Sequence, residues 1–265
     1  MRIGLSITMV ILLATPASAE DRVAEITANG GCVDCDLRLA SLRGLSLEGA
    51  DFSESKLIEA DLKQVNLPGA NFSGARMQRI EMEQANLAGA NFSDAGMRDA
   101  DLEKSNLAGA NLNDADLRDA DLANANIAGA TFREADLRHA YFRRVKGEKA
   151  NFTEAKLEYA DFERADLKGA VFVDARLKGI DLDRASAVGA DFQSADLTSA
   201  RLSSTNLSNA NLRDAELEDA LLRRTNLSGA DLTGASGLTQ EQLDIACGDS
   251  GTMLPRSLTI PKCGE

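Results

Sequence analysis

The chain has 265 residues, 44% of them hydrophobic but only 4% aromatic and none of them Trp, so alanine and leucine supply most of its apolar content. That length suffices for one or two ordinary domains. The net charge of −13 argues against direct binding to nucleic acid or to anionic lipid.

Arg2 gives a short positive start, and Ile3 to Leu13 is an apolar run broken by Gly4, Ser6 and Thr8. Ala17-Ser18-Ala19 is a small-x-small cleavage site, followed by Glu20-Asp21. Residues 1–19 therefore read as a secretory signal peptide, too short to serve the mature chain as a membrane anchor. No Cys follows the cleavage site, so no lipid anchor is expected there. The expected mature protein starts at Glu20 and is periplasmic or secreted. Residues 20–34 then lead into the first coil of a repeat.

That repeat fills residues 35–236. From Leu37 to Leu232, positions ending in 2 or 7 are Leu, Phe, Met or Ile, with Gly147 and Ala187 as exceptions. Positions ending in 0 or 5 are mostly Ala. Ala and Leu two residues apart point to the same side of an extended stretch. The alternation resets after five residues, so the chain turns a corner. Glycines two residues after the Leu, such as Gly69, Gly89 and Gly109, fit a corner that needs positive φ. Phenylalanine gives the length of a circuit. Phe52, Phe72, Phe92, Phe132, Phe152, Phe172 and Phe192 differ by multiples of twenty, and Phe142 and Phe162 by twenty. Four pentapeptides thus make one circuit around an interior of Leu and Phe. Large neighbours such as Phe142 and Phe152 are expected to fill the space left by Gly147.

These residues resemble the pentapeptide-repeat family, whose motif is A-(D/N)-L-x-x. The resemblance implies an all-β solenoid, a right-handed quadrilateral parallel β-helix. About ten 20-residue coils at a spacing of about 4.8 Å make a rod on the order of 50 Å long. Stability should accumulate coil by coil, because each coil touches only its neighbours.

Sorting the outward residues by their place in the twenty gives four faces. One is nearly uncharged and shows Asn66, Asn86, Asn106, Asn126, Asn206 and Asn226, with Pro68, Ala88, Ala108 and Ala128 beside them. It reads as a docking surface for a partner protein or a second copy (a homodimer), or as an Asn ladder serving its own turns. The Phe side carries one carboxylate per circuit at Glu54, Asp94, Asp114, Glu134, Glu154, Asp174 and Asp214. Stacked like charges repel. This column reads as a site for a cationic partner, Ca²⁺ or a basic protein, or as a solvated face that keeps the rod soluble. The other two faces mix signs and read as ion-pair lattices. A basic cluster of Arg143, Arg144, Lys146 and Lys149 surrounds Gly147 next to Tyr141 and is a candidate recognition spot.

Residues 237–265 read as a helical cap and tail. Thr239-Gln240-Glu241-Gln242 is a capping box, the helix is expected to run to about Ala246, and Leu238, Leu243 and Ile245 are expected to face the last coil. The Cys247/Cys263 pair is the favoured disulfide, tying the tail to the cap. Cys32 and Cys35 fall on phases that the repeat fills with Leu and Ala. They fit a bridge, a pair of buried thiols or a redox motif, although the βαβ setting of a redox CxxC is missing. The two pairs lie at opposite ends of the rod, which excludes a four-Cys zinc site.

His139 is the one His, so no Ser/His/Asp or Cys/His arrangement has a second imidazole. There is no phosphate loop and no aromatic stacking platform. The expectation is a non-enzymatic exported solenoid that binds protein or serves a structural role, with no cofactor and no metal. Resemblance offers an alternative, because some pentapeptide-repeat proteins are acidic rods that mimic DNA and protect gyrase, in the cytosol. A thiol redox protein using Cys32 and Cys35 is the third reading.

Overall fold

The hydrogen bonds of one pentapeptide account for the whole coil. The structure, a computed structural model, describes residues 19–255 and 257–264. In residues 51–55, Asp51 N–H donates back to Gly30 O at 3.0 Å, while Phe52 N–H and Glu54 N–H donate forward to Asn71 O and Ser73 O at 2.7 and 2.9 Å. Ser55 N–H closes a turn on Phe52 O at 3.3 Å. The fifth donor, Ser53 N–H, goes to the Asp51 side-chain Oδ1 at 3.0 Å. Every backbone N–H is then paired, as burial beside a core demands. The same side-chain capture recurs under Asn71, Asn91, Asp101 and Asn106. The Asp or Asn before each Leu is therefore a backbone acceptor. Where Thr131 or Arg201 takes that place, the preceding coil supplies the oxygen. Arg133 N–H reaches Asn113 Oδ1 and Ser203 N–H reaches Asp183 Oδ1, both at 2.9 Å.

Parallel bridges join residue i to i+20 at every position ending in 1 or 6, from Gly31↔Asp51 to Glu216↔Ser236. One circuit is thus twenty residues long and holds four turns. Parallel pairing and period match the expectation, but each side pairs through a single residue and no extended strand forms among the described residues. Two residues of each five belong to the turn, which leaves no room for a longer strand.

Every fifth residue from Asp34 to Gly234 has positive φ, and most of them are not glycine: Glu54 is at 58°, Arg79 at 55° and Tyr159 at 61°. These are type II turns, in which the second central residue is left-handed. The expected corner glycines are thus a subset. A Cβ at Gly69, Gly89 or Gly109 would meet nothing within 4 Å, so these corners have room for a side chain, whereas at Gly74 and Gly179 it would meet the side chains of Glu54 and Tyr159 on the preceding coil. The residual backbone cost, of order 1–3 kcal/mol for a non-glycine, is offset by the N–H of that residue bonding the next coil.

Inside, all nine Phe are buried. Phe52, Phe72 and Phe92 stack at 5.2 and 5.0 Å between ring centroids. After Leu112 the column resumes with Phe132, Phe152, Phe172 and Phe192, stacked at 4.8–4.9 Å. Phe142 and Phe162 stack at 4.4 Å and meet Phe152 edge to face. Each contributes roughly 1.5–3 kcal/mol of burial before entropy.

Gly147 departs from the expectation in one respect. The atoms around it belong to its own column: a Cβ there would lie 3.0 Å from Leu167 Cδ2, 3.3 Å from Asp166 O and 3.4 Å from Ile127 Cδ1. The coils above and below fill the gap, and the flanking Phe rings do not.

Both ends are covered. Helix α1 (Ala19–Asn29) buries Ile26 against the first coil. The expected signal peptide lies outside the described residues apart from Ala19. Gly31 bridges Asp51 so closely, at φ 139°, that a Cβ would sit 2.2 Å from Asp51 O, and only glycine fits. Cys32 and Cys35 form a disulfide, with Cα atoms 5.6 Å apart, half-buried against the core. The Ser55 hydroxyl stands between them. It donates to Cys32 O at 2.6 Å and accepts Cys35 N–H at 3.2 Å, in place of the direct turn bond.

Helix α2 (Gln240–Asp244) is shorter than expected, because Ile245 already has the non-helical φ of a C-cap. Leu243 is fully buried and Leu238 packs on the core, but Ile245 is 51% exposed. The capping box is present. Gln242 does more than cap: its side-chain amide donates to Leu217 O and Ala220 O, both at 3.0 Å, and accepts Thr239 N–H. Cys247 and Cys263 are bridged, and the tail adds rungs at Asn226↔Cys247 and Asp231↔Met253.

Gly147→Leu is expected to lower the melting temperature by overpacking, at about 1–3 kcal/mol, as calorimetry would read. Gln242→Ala leaves the Ala220 carbonyl without a donor, while Leu217 O keeps the Ala220 N–H, at about 1–3 kcal/mol. Hydrogen exchange should show lost protection in residues 217–246 while the central coils stay protected.

Candidate functional site

Outward side chains stand in columns twenty residues apart, so each face is a ladder of like positions. The structure brings Asn66, Asn86, Asn106 and Asn126 into one continuous ladder. Each amide donates to the preceding Asn Oδ1, at 2.7, 3.0 and 3.0 Å, and Asn66 donates to Ser46 Oγ at 3.0 Å. Asn106 and Asn126 also accept the N–H of Ala108 and Ala128. One amide hydrogen per Asn remains for a partner. Asn206 and Asn226 are not part of this ladder, because Lys146, Asp166 and Ser186 interrupt the column. Asn226 abuts the cap through its bridge to Cys247.

The acidic column runs unbroken through Asp94, Asp114, Glu134, Glu154 and Asp174. Gly74 separates Glu54 from it, and Ser194 separates Asp214. All seven carboxylate residues occupy left-handed corners, with φ between 57° and 60°. Arg133 reaches Glu154 at 3.6 Å. Among the described residues, no group of three or more His, Cys, Asp or Glu is placed to hold a metal ion.

The mixed faces are ion-pair lattices, as expected. Arg118 and Arg138 clasp Asp116 and Asp136 with two hydrogen bonds each. Arg201 joins Asp181 and Asp183. The Arg118 guanidinium holds the Asp116 carboxyl below its usual range. Asp101 goes the other way: burial, then the charges of Glu83, Asp121 and Glu103, push its carboxyl up against the hydrogen bond from Glu103 N–H.

The sequence reading did not use the placement of the few aromatic surface groups. His139 and Tyr159 stack at 5.4 Å, Tyr159 lies over Gly179, and Tyr141 follows His139 by two residues on the same corner. Both Tyr and the one His of the chain therefore share two adjacent coils. At the C-terminal end a cleft of ≈ 710 Å³ opens between α2 and the last coil, lined in part by the exposed Leu221 and Ile245.

A family model described as a pentapeptide repeat region matches residues 75–152 and 115–192, and one described as pentapeptide repeats (8 copies) matches 35–74, 175–214 and 200–236. Together they span the whole coil. The chain belongs to the pentapeptide repeat family. Among solved structures of pentapeptide repeat proteins, HetL of the cyanobacterium Nostoc sp. strain PCC 7120, involved in heterocyst differentiation regulation, is 29% identical. The match covers 87% of this chain and 97% of HetL with a TM-score of 0.43. QnrB1, a plasmid-mediated fluoroquinolone resistance protein, is 18% identical over 82% of this chain and 92% of its own, with a TM-score of 0.42. A pentapeptide repeat protein of the Arabidopsis thaliana thylakoid lumen is 31% identical over 39% of this chain and 65% of its own, with a TM-score of 0.20. No curated protein matches the chain.

Because the folded-state pKa of Asp101 lies above its ordinary 3.8, ionisation costs stability as pH rises through the folded value. Asp101→Asn keeps the acceptor for Glu103 N–H. It is expected to raise the melting temperature at neutral pH, with a gain that shrinks once the pH falls below the carboxylate range.

Proposed function

We propose that this pentapeptide repeat protein is a non-enzymatic, exported binding or structural module that acts by presenting a ruled surface to another protein. The observation that carries this reading is the neutral strip of Asn66, Asn86, Asn106 and Asn126. Flush corners at Gly69, Gly89, Gly109 and Gly129 flank it, with open space beyond each glycine. A flat, uncharged surface with free amide hydrogens suits a protein partner and carries no reacting group. Like the family it resembles, the coil is taken as right-handed. Export to a periplasm or beyond is supported by the apolar run Ile3–Leu13, by Ala17-Ser18-Ala19, and by the two disulfides, which suit an oxidising compartment. Half-buried against the core on either side of the Ser55 hydroxyl, and without the βαβ setting of a redox CxxC, the Cys32–Cys35 bridge is read as a staple of the first coil.

Cell fractionation with N-terminal sequencing, followed by photo-crosslinking from Ala108 and from Asp114, tests both parts. The expected outcome is a chain beginning at Glu20 outside the cytosol, with crosslinks from Ala108. An intact chain in the cytosol would overturn export and revive the gyrase alternative. Absence of crosslinks from both positions would overturn the docking reading.

A further inference from the structure

The coil at residues 141–160 breaks both the Asn ladder and the column of corner glycines beside it. Lys146 takes the next rung of the Asn ladder, bridging Asn126 on one side and Asp166 on the other. Lys149 takes the place of the corner glycines. Its stem leans onto the following coil, where a Cβ at Gly169 would lie 3.7 Å from Lys149 Cγ. Arg144, at φ 56°, begins a corner column continued by Arg164 and Arg184. Arg164 and Arg184 share Glu163, and Arg143 is held by Asp161 at 2.5 Å. Arg144, Lys146 and Lys149 are exposed, and among the described residues their side chains make no ion pair. Lys56, Arg76, Arg176 and Lys178 among others are likewise outside any ion pair among the described residues, so what sets this patch apart on a chain of net charge −13 is three such cations within six residues. Tyr141, 47% exposed, stands at its start beside the stacked His139 and Tyr159.

We infer that this coil binds an acidic peptide segment of a partner protein, and the inference rests on the protein-binding reading above. Carboxylates of the segment meet Arg144, Lys146 and Lys149, and Tyr141 supplies the aromatic contact typical of protein hot spots. The neutral Asn strip beside Lys146 offers amide hydrogens to the backbone of the same segment. A short segment fits better than a long polyanion. Glu148, Asp166 and Glu163 hem the patch in, and the acidic column lies on the next face, so a nucleic acid or a lipid surface would meet like charge within a Debye length of about 8–10 Å. Exposed pairs are individually weak, so binding should be modest and salt-sensitive.

The test is fluorescence anisotropy of a labelled hexaglutamate peptide with the full exported chain. Low-salt binding should fade as salt is raised. Arg144→Glu with Lys149→Glu should weaken it about tenfold. Glu54, Glu134 and Glu154 stand at equivalent left-handed corners, so the fold should tolerate the change. Lys56→Glu with Arg76→Glu alters the net charge equally from another face and should leave binding unchanged. Tyr141→Ala should weaken it without altering the salt dependence. The inference is overturned if the peptide does not bind, if both charge-reversal pairs weaken it equally, or if an oligothymidine or a phosphatidylglycerol vesicle binds more tightly. Crosslinks from Ala108 that persist when the peptide fails would remove this site and leave the protein-binding reading standing.

Discussion

Everything in this rod depends on where five backbone N–H groups go. Two reach the next coil, one reaches back to the previous coil, one closes the turn, and the last needs an oxygen that the main chain does not provide. The side chain of Asp51, Asn71 or Asn91 supplies it from two residues upstream. That one capture explains why Asp or Asn so often precedes the buried Leu or Phe, with Val171 before Phe172 and Leu221 before Leu222 as departures.

The period of twenty then transfers every local choice to the neighbouring rung. A buried Phe meets a Phe, an Asn meets an Asn, and an aspartate meets an aspartate. Inside, this repetition is favourable, as the stacked rings show. Outside, it has two consequences. Asn columns hydrogen-bond to themselves, whereas some stacked carboxylates are clasped by arginines, as Asp116 and Asp136 are, and burial with neighbouring charge pushes the Asp101 carboxyl up. The surface is therefore a record of which columns are self-satisfying and which call for a counter-charge. Arg144, Lys146 and Lys149 are the reverse case, cations with no such relief.

Much of the architecture was legible in the sequence, because Leu/Phe and Ala positions never slip register and burial follows them almost throughout, Leu47 being only partly buried. The cap was legible through Thr239 and Gln242. Three things were not. The left-handed corners at residues such as Arg79 and Tyr159 leave no compositional trace, since side chains as different as these take the same positive φ. The packing at Gly147 depends on Ile127 and Leu167, each twenty residues away, and sequence neighbours misled. Ile245 has an apolar identity but sits where the helix has already ended, so composition pointed it inward, whereas it stays half-exposed on the wall of the open cleft beside the last coil. For the surface, the Asn ladder could be placed by phase alone. Its division by Lys146, Asp166 and Ser186 became decisive only once the bridges joined them into one column.

A coil of this kind has no intrinsic length. Each rung ends in carbonyls and N–H groups that would accept another rung, so an uncovered end is a template for its own kind. Gln242 occupies the Ala220 carbonyl, an acceptor that the next rung would use, and a staple between Cys247 and Cys263 holds the tail across the rung that follows. At the other end α1 and the tight passage at Gly31 close the first rung. The cap thus acts as a chain terminator: it makes a finite molecule of a pattern that would otherwise grow by end-to-end addition into a fibre.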